Sequence, residues 1–147
     1  MPNPRRHHTR SVVVARAPVL VDSGVWIALA RANDQHHEAA DAQLRKAIAE
    51  RVPLITTNLI LAEVHRFVLF HAGIRPAGLI LERIEASPSV SVVYPNTAHD
   101  SAARGWLAKL ADQRITYTDA VSFAVMESHH CGAVLTFDHD FVLAGLA

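Results

Sequence analysis

The hydrophobic and polar positions of this chain alternate between short apolar runs and longer segments with helical spacing. Four apolar runs are predicted to form buried strands, at residues 17–21, 53–56, 90–93 and 133–137. The segments between them repeat their apolar residues at the three- and four-residue spacing of amphipathic helices. Strands that alternate with helices are typical of a parallel sheet covered on both faces. The pattern therefore predicts an α/β domain.

Capping residues and helix breakers set the predicted ends of the helices. Helices are predicted at residues 24–30, 34–50, 58–71, 77–86, 97–111 and 118–130, with a short last helix beginning at Asp138. Asp34, Asn58 and Thr118 are the expected N-caps, because a side-chain oxygen there can accept a free backbone N–H. Gly73 is the expected end of the third helix, and Pro76 falls in the first turn of the fourth, where its missing N–H is not needed.

Charge is unevenly distributed along the 147 residues. The chain carries 14 basic and 14 acidic residues, for a formal net charge of zero. Four arginines and no acid fall within residues 1–17, so residues 18–147 are net acidic. We therefore divide the chain into a basic N-terminal arm, 1–17, and a single domain, 18–147. The arm can contact nucleic acid phosphates or be a disordered tail, and the sequence leaves both interpretations open.

The cysteine count and the apolar runs indicate a cytoplasmic protein. Cys131 is the only cysteine, which excludes an intramolecular disulfide and a Cys-x-x-Cys metal site. An unpaired thiol is typical of a reducing compartment. No run in the sequence approaches the roughly 20 apolar residues that a membrane-spanning helix needs. We therefore expect a soluble, cytoplasmic chain.

Four carboxylates are expected at one edge of the predicted sheet. Asp22 directly follows the first strand, and Asp138 follows the fourth. Asp119 opens the helix that leads into the fourth strand, and Glu63 lies in the first half of the helix after the second. Ligands of parallel α/β sheets bind outside the carboxyl ends of the strands. All four side chains can therefore reach the same edge.

Each acid alone has a structural interpretation, but the four together favour a metal site. Asp22, Asp119 and Asp138 stand near helix N-termini, where carboxylates cap free N–H groups, and Glu63 can pair with Arg66. Four carboxylates at one edge, however, raise one another's pKa values unless a cation lies among them. Hard divalent ions such as Mg²⁺ take this type of ligand, and they activate water for phosphodiester hydrolysis. The acid set therefore predicts phosphodiester hydrolysis.

Four segments resemble, in order, the motifs of PIN-domain ribonucleases. The opening motif, a strand that ends in Asp and leads into a short helix, is similar to VLVDSGVWIALA. The second, a helix with an internal Glu, resembles TTNLILAEVHR. The third, with Asp at a helix start, is similar to YTDAVSFAVMES, and the fourth, Thr-x-Asp after a strand, resembles AVLTFDHDF. These segments follow the family's order and span residues 18–141.

The resemblance implies a three-layer α/β/α PIN-like domain with a central, mainly parallel sheet of four to five strands. It implies that Asp22, Glu63, Asp119 and Asp138 form a metal-binding acidic site that uses Mg²⁺ or Mn²⁺ to cleave RNA, leaving a 5′-phosphate. The single-domain size is similar to that of VapC-type toxins, which implies a VapB-type antitoxin as partner and a homodimer. The predicted function is therefore that of an endoribonuclease toxin.

Three further residues are candidates for supporting roles. Ser23 and Thr136 flank the acids and can orient them by hydrogen bonds, although both can also be plain turn residues. Arg114, just ahead of the third motif, is the candidate for an RNA phosphate contact, and a solvated surface arginine is the alternative. Asp140 is interpreted as a surface acid rather than an outer metal ligand.

Other functions fit the sequence less well. The main alternative is a PIN-like module that binds RNA or protein without cleaving, against which the complete set of acids argues. A haloacid-dehalogenase phosphatase requires Asp-x-Asp after the first strand, and a receiver domain requires a lysine at a late strand end; the sequence has neither. Zinc is not favoured, because the paired histidines are adjacent and do not share a helix face, and there is no His-Glu-x-x-His.

Overall fold

A computed structural model of the protein describes residues 16–146, so most of the predicted N-terminal arm lies outside the described residues. Within this range the four strands are β1 (Val19–Val21), β2 (Leu54–Thr57), β3 (Val90–Val93) and β4 (Ala133–Leu135). The helices are α1 (Ser23–Ala30), α2 (His37–Ala49), α3 (Asn58–Ala72), α4 (Ile74–Ala86), α5 (Thr97–Lys109), α6 (Tyr117–Ser128) and α7 (Asp140–Leu143). The prediction of four strands alternating with helices is confirmed.

The strands form one parallel sheet in the order β3-β2-β1-β4. Leu20 at the centre of β1 is in register with Ile55 of β2 and with Val134 of β4. The chain moves in one direction from β1 to β2 to β3, and α5 and α6 then carry it back past β1 to β4. Because such crossovers are right-handed, α1 to α4 lie on one face and α5 and α6 on the other. This arrangement is the predicted three-layer α/β/α fold.

The strand order creates a crevice between the carboxyl ends of β1 and β4. The helix that follows β1 packs with the first layer of helices, whereas α7, which follows β4, packs against α6 in the other layer. When the connections after two neighbouring strands run to opposite faces of the sheet, a gap forms at the carboxyl ends of those strands. Ligands of open α/β sheets bind in such gaps. Asp22 and Asp138 follow the two strands that border this crevice.

Helix α6 is the most deeply placed helix of the second layer. Its residues 119–126 are all buried, and the helix packs closely against α5. Phe123 is fully buried and meets the rings of Trp106 and Phe141 edge-on, with ring centroids 5.5 and 5.1 Å away. Burial of a phenylalanine side chain stabilises a fold by roughly 1.5–3 kcal/mol. This packing holds the first turn of α6 rigidly at the crevice.

The predicted N-caps of α3 and α6 are wrong by one and two residues. Thr57, not Asn58, caps α3, and its hydroxyl accepts the backbone N–H of Ile60 at 3.1 Å. Thr116, not Thr118, caps α6. An N-cap needs an extended backbone, which Thr57 and Thr116 have, whereas Asn58 and Thr118 already lie inside their helices.

Three other predicted helix starts are also displaced. The carboxylate of Asp34 accepts the backbone N–H of His36 at 2.8 Å in a turn before α2, whose N-cap is His36. Helix α4 begins at Ile74, three positions before the predicted start. The last helix begins at Asp140 rather than Asp138, because Asp138 forms the preceding turn by accepting the backbone N–H of Asp140. No helix in residues 16–146 is long and apolar enough to cross a membrane.

Candidate active site

Three of the four predicted acids meet in the crevice between β1 and β4. Asp22, Asp119 and Asp138 each offer a carboxylate oxygen, and these atoms all lie within 4.8 Å of one another. Asp22 and Asp119 are buried, with 5% and 7% of their surface exposed, whereas Asp138 is exposed. Carboxylate oxygens at this spacing can share one hard divalent cation. We call these three residues the acid cluster.

Hydrogen bonds fix the carboxylate of Asp22 in one orientation. One oxygen, Oδ1, accepts the backbone N–H of Ser23 at 2.8 Å, which caps α1. The other oxygen, Oδ2, accepts the hydroxyl of Thr136 at 2.8 Å. The same hydroxyl oxygen accepts the backbone N–H of Asp138 at 2.9 Å. Thr136 thus connects two members of the acid cluster, and Asp22 has a capping role as well as a place in the cluster.

Asp119 lies in the first turn of α6, where Thr116 accepts its backbone N–H at 3.1 Å. Burial raises the pKa of Asp119 from 3.8 to about 7, and the charges of Asp22 and Asp138 contribute to the rise. Burial also raises the pKa of Asp22, against the opposing effect of its hydrogen bonds from Thr136 and Ser23. The cluster therefore holds more negative charge than its surroundings stabilise, and a bound cation offsets such an excess.

No basic side chain compensates the acid cluster among residues 16–146. The ion pairs of this range join Arg16 with Glu50, Arg45 with Asp41, and Arg104 with Asp100. None of them includes a residue of the cluster. The arrangement therefore suits a small divalent cation, which brings a larger charge into the same space than a guanidinium group.

Glu63 lies beside the acid cluster rather than within it. Its charge contributes to the raised pKa values of Asp22 and Asp119, although it is the smallest contribution to each. The side chain is partly buried and belongs to none of the ion pairs found in the described range. Arg66, the partner of the structural interpretation, instead places its guanidinium 5.1 Å from the ring centroid of Phe70. Glu63 is thus available to a ligand bound at the cluster.

Asp140 is an acid of the site that the sequence interpretation placed on the open surface. It is partly buried, and burial and the charge of Asp138 both raise its pKa. Its backbone N–H donates to Asp138 at 2.9 Å, so the two acids share one turn. The sequence signal for this position was the Asp-x-Asp spacing at the predicted start of the last helix.

The remaining predicted site residues have different surroundings. Ser23 contacts Asp22 through its backbone N–H, whereas Thr136 uses its side chain. Arg114 is exposed in the loop between α5 and α6, five positions before Asp119. Phe137 directly precedes Asp138 in the sequence, and its ring is stacked on that of His36, with ring centroids 4.1 Å apart.

The family follows from a match that covers most of the chain. A model of the PIN domain matches residues 19–145, a range that includes every member of the acid cluster. The chain belongs to the PIN domain family. It is 30% identical over 128 residues to the 23S rRNA-specific endonuclease VapC20 of Mycobacterium tuberculosis, and the match covers 86% of this chain and 94% of VapC20.

Two solved structures of similar fold agree with this assignment. The crystal structure of M. tuberculosis VapC20, described as a sarcin-ricin loop cleaving toxin, superposes with a TM-score of 0.77 at 29% identity, covering 88% of this chain and 96% of that one. FitAcB from Neisseria gonorrhoeae superposes with a TM-score of 0.65 at 23% identity, covering 88% of this chain and 94% of that one, and its likeness concerns the fold. The resemblance to PIN-domain ribonucleases and the α/β/α architecture are thus confirmed.

Proposed function

We propose that this PIN-domain protein is a metal-dependent endoribonuclease and the toxin of a VapBC-type toxin–antitoxin pair. The observation that carries the proposal is the meeting of Asp22, Asp119 and Asp138 within 4.8 Å at the crevice between β1 and β4. The similarity to VapC20 over 94% of the length of that endonuclease supports RNA as the substrate. The main alternative, a PIN-like module that binds without cleaving, is less favoured because the full set of acids is present, three in the acid cluster and Glu63 beside it.

The metal ligands in this proposal are Asp22, Asp119 and Asp138, with Glu63 beside them. Their oxygens are the type that Mg²⁺ and Mn²⁺ prefer, and the uncompensated charge of the cluster suits either ion. When bound, such an ion supplies activation of water and stabilisation of the charge that develops on the phosphoryl oxygens. The buried carboxylates of Asp22 and Asp119 fix the position of the ion relative to the sheet, and the exposed Asp138 leaves the site open to a long substrate.

Thr136 and Ser23 have positioning roles in this proposal. The Thr136 hydroxyl donates to Asp22 and accepts from the backbone of Asp138, so it holds two ligands at a constant separation. The N–H of Ser23 orients the second oxygen of Asp22. Groups that orient metal ligands typically contribute about 10- to 100-fold to metal affinity or activity.

The proposed RNA target and protein partners are inferred from similarity to other members of the family. VapC20 is specific for 23S rRNA, so ribosomal RNA is the first substrate class to test. Arg114 is exposed ahead of α6 and is the proposed phosphate contact near Asp119. The resemblance to VapC-type toxins implies three further properties, which we include in the proposal. They are a VapB-type antitoxin that covers the acidic groove, assembly into a homodimer, and a cytoplasmic location.

The proposal is tested by cleavage of total RNA with purified protein freed of any antitoxin. We expect discrete cuts in Mg²⁺ or Mn²⁺ and none in EDTA. Asp22→Asn and Glu63→Gln should both abolish cleavage, because each removes a negative charge from the site and keeps the side-chain shape. Glu50→Gln is the matched control, since Glu50 is an exposed acid at the opposite, amino-terminal edge of the sheet. Equal cleavage by the wild type and Asp22→Asn would contradict the proposal, as would intact RNA under all metal conditions.

A further inference from the structure

A groove runs along one face of α3, starting at Glu63. It has a volume of about 380 Å³ and is lined by Glu63, Arg66, Phe67, Phe70 and His71. These positions recur at three- and four-residue spacing, so they share one face of the helix. We call this feature the α3 groove. Glu63 borders the groove and lies near enough to the acid cluster for its charge to contribute to the raised pKa of Asp22, so this end of the groove lies beside the candidate active site.

Aromatic rings line the α3 groove, and two arginines lie against them. The rings of Phe67 and His71 are stacked, with centroids 3.9 Å apart and planes 11° from parallel. The guanidinium of Arg31, at the end of α1, lies 5.4 Å from the centroid of Phe67. The guanidinium of Arg66 lies 5.1 Å from that of Phe70. Within the described range neither arginine takes part in an ion pair, so each retains its charge for another partner.

Phe70 distinguishes this surface from an ordinary helix face. It is 71% exposed, although phenylalanine is among the residues most often found inside a protein. A role in the protein core would bury the ring, and the ring instead projects to solvent beside a cation. Surfaces that combine exposed aromatic rings with free positive charge bind single-stranded nucleic acid, because bases stack on the rings and phosphates pair with the cations.

We propose that the α3 groove binds a single-stranded segment of RNA next to the site of cleavage. In this assignment a base stacks on Phe70, and Arg31 and Arg66 bind the flanking phosphates. The two arginines have no ion-pair partner within residues 16–146, and this positive charge favours a polyanion such as RNA over an apolar protein partner. The proposal rests on the proposed ribonuclease function, and it specifies which part of the surface holds the substrate strand.

The test measures RNA affinity without cleavage. Fluorescence anisotropy in EDTA follows the binding of a labelled oligouridine of about 12 nucleotides, a length typical of single-strand binding sites. Phe70→Leu keeps the apolar side chain but removes the stacking face, and we expect it to weaken binding at least about fivefold. Phe70→Tyr keeps the face and should retain wild-type affinity. All variants keep the full chain, so any contribution of residues 1–15 is constant.

The arginines are tested by the salt dependence of the same affinity. Arg66→Gln should weaken binding and lower the slope of log K against log salt by about 0.7, the value for one phosphate contact to a single strand. Arg51→Gln is the matched control, because Arg51 is exposed at the amino-terminal edge of the sheet, away from the groove. It should leave the slope unchanged. An equal change of slope in both variants would overturn the proposal, because it would mean that only overall charge matters.

Two further outcomes separate the possible explanations. Wild-type RNA affinity in Phe70→Leu, with an altered oligomeric state in size-exclusion chromatography, would overturn the proposal and assign the α3 groove to a protein contact. Metal-dependent cleavage by the wild type together with unchanged affinity in both groove variants would overturn this assignment alone. Alternatively, the wild type binds RNA without ever cleaving it while the groove variants lose affinity. This result would support RNA binding by the α3 groove and contradict the proposed nuclease function.

Discussion

At the scale of single residues, the site is defined by negative charge that the protein buries without compensation. Asp22 and Asp119 are almost completely buried, and no ion pair within residues 16–146 reaches either of them. A buried carboxylate is costly to ionise unless hydrogen bonds or a cation stabilise the charge. Hydrogen bonds supply part of this stabilisation at Asp22. Hydrogen bonds stabilise the charge of Asp119 less, and burial therefore raises its pKa to about 7.

The raised pKa of Asp119 predicts how stability depends on pH without metal. Between pH 3.8 and about 7 the folded chain keeps a proton that the unfolded chain has lost. The free energy of unfolding should therefore fall as pH rises through this range, by on the order of 4 kcal/mol. Asp119→Asn should lack most of this fall and be more stable than the wild type above pH 7. Urea unfolding of the wild type and Asp119→Asn in EDTA at several pH values measures the free energy of unfolding of each. Identical pH dependence in the two proteins would contradict a raised pKa at Asp119.

Two residues show what the sequence could and could not predict about the site. Asp119 was predicted from its position at a helix start leading into a strand, because helix ends are visible in the apolar pattern. The closeness of Asp140 to the cluster was not predicted, because it depends on the turn at Asp138, which delays the last helix by two residues. A side chain two positions along a turn or a helix points in a different direction, so this shift decides whether an acid faces the site.

At the scale of elements, the first turn of α6 places Asp119 in the crevice. Thr116 caps this helix, and the hydroxyl accepts the backbone N–H of Asp119 itself. The apolar pattern located the helix correctly, but the predicted cap, Thr118, is wrong by two residues. The predicted and the observed cap are both threonines, and the choice between them depends on which residue has the extended backbone. Sequence patterns report the burial of a helix better than its ends.

The cap assignment predicts different effects for two similar substitutions. Thr116→Ala should lower the free energy of unfolding by about 1 kcal/mol, the usual effect of losing an N-cap hydroxyl. Thr118→Ala should change it by less than about 0.5 kcal/mol, because Thr118 lies inside the helix and caps nothing. Urea denaturation of the two variants beside the wild type measures the difference. A larger loss in Thr118→Ala than in Thr116→Ala would show that the helix begins later than described.

At the scale of the whole molecule, the strand order brings the acids together. The apolar runs predicted four parallel strands and helices on both faces, and the rule for strand carboxyl ends placed the acids at one edge. The order β3-β2-β1-β4 was not predictable from these runs, because any of the strands is apolar enough to occupy the centre. The observed order makes β1 and β4 neighbours, and this pairing puts Asp22 beside Asp138.

The central claim is that the acid cluster is a divalent metal site, and calorimetric titration of Mn²⁺ near pH 7 tests it most directly. We expect saturable binding to the wild type and an affinity at least about tenfold lower for Asp138→Asn. Asp138 is exposed, so its replacement should leave the fold unchanged, and Glu50→Gln serves as the control acid. Equal affinity of the wild type and Asp138→Asn for Mn²⁺, or no binding to either, would contradict the claim.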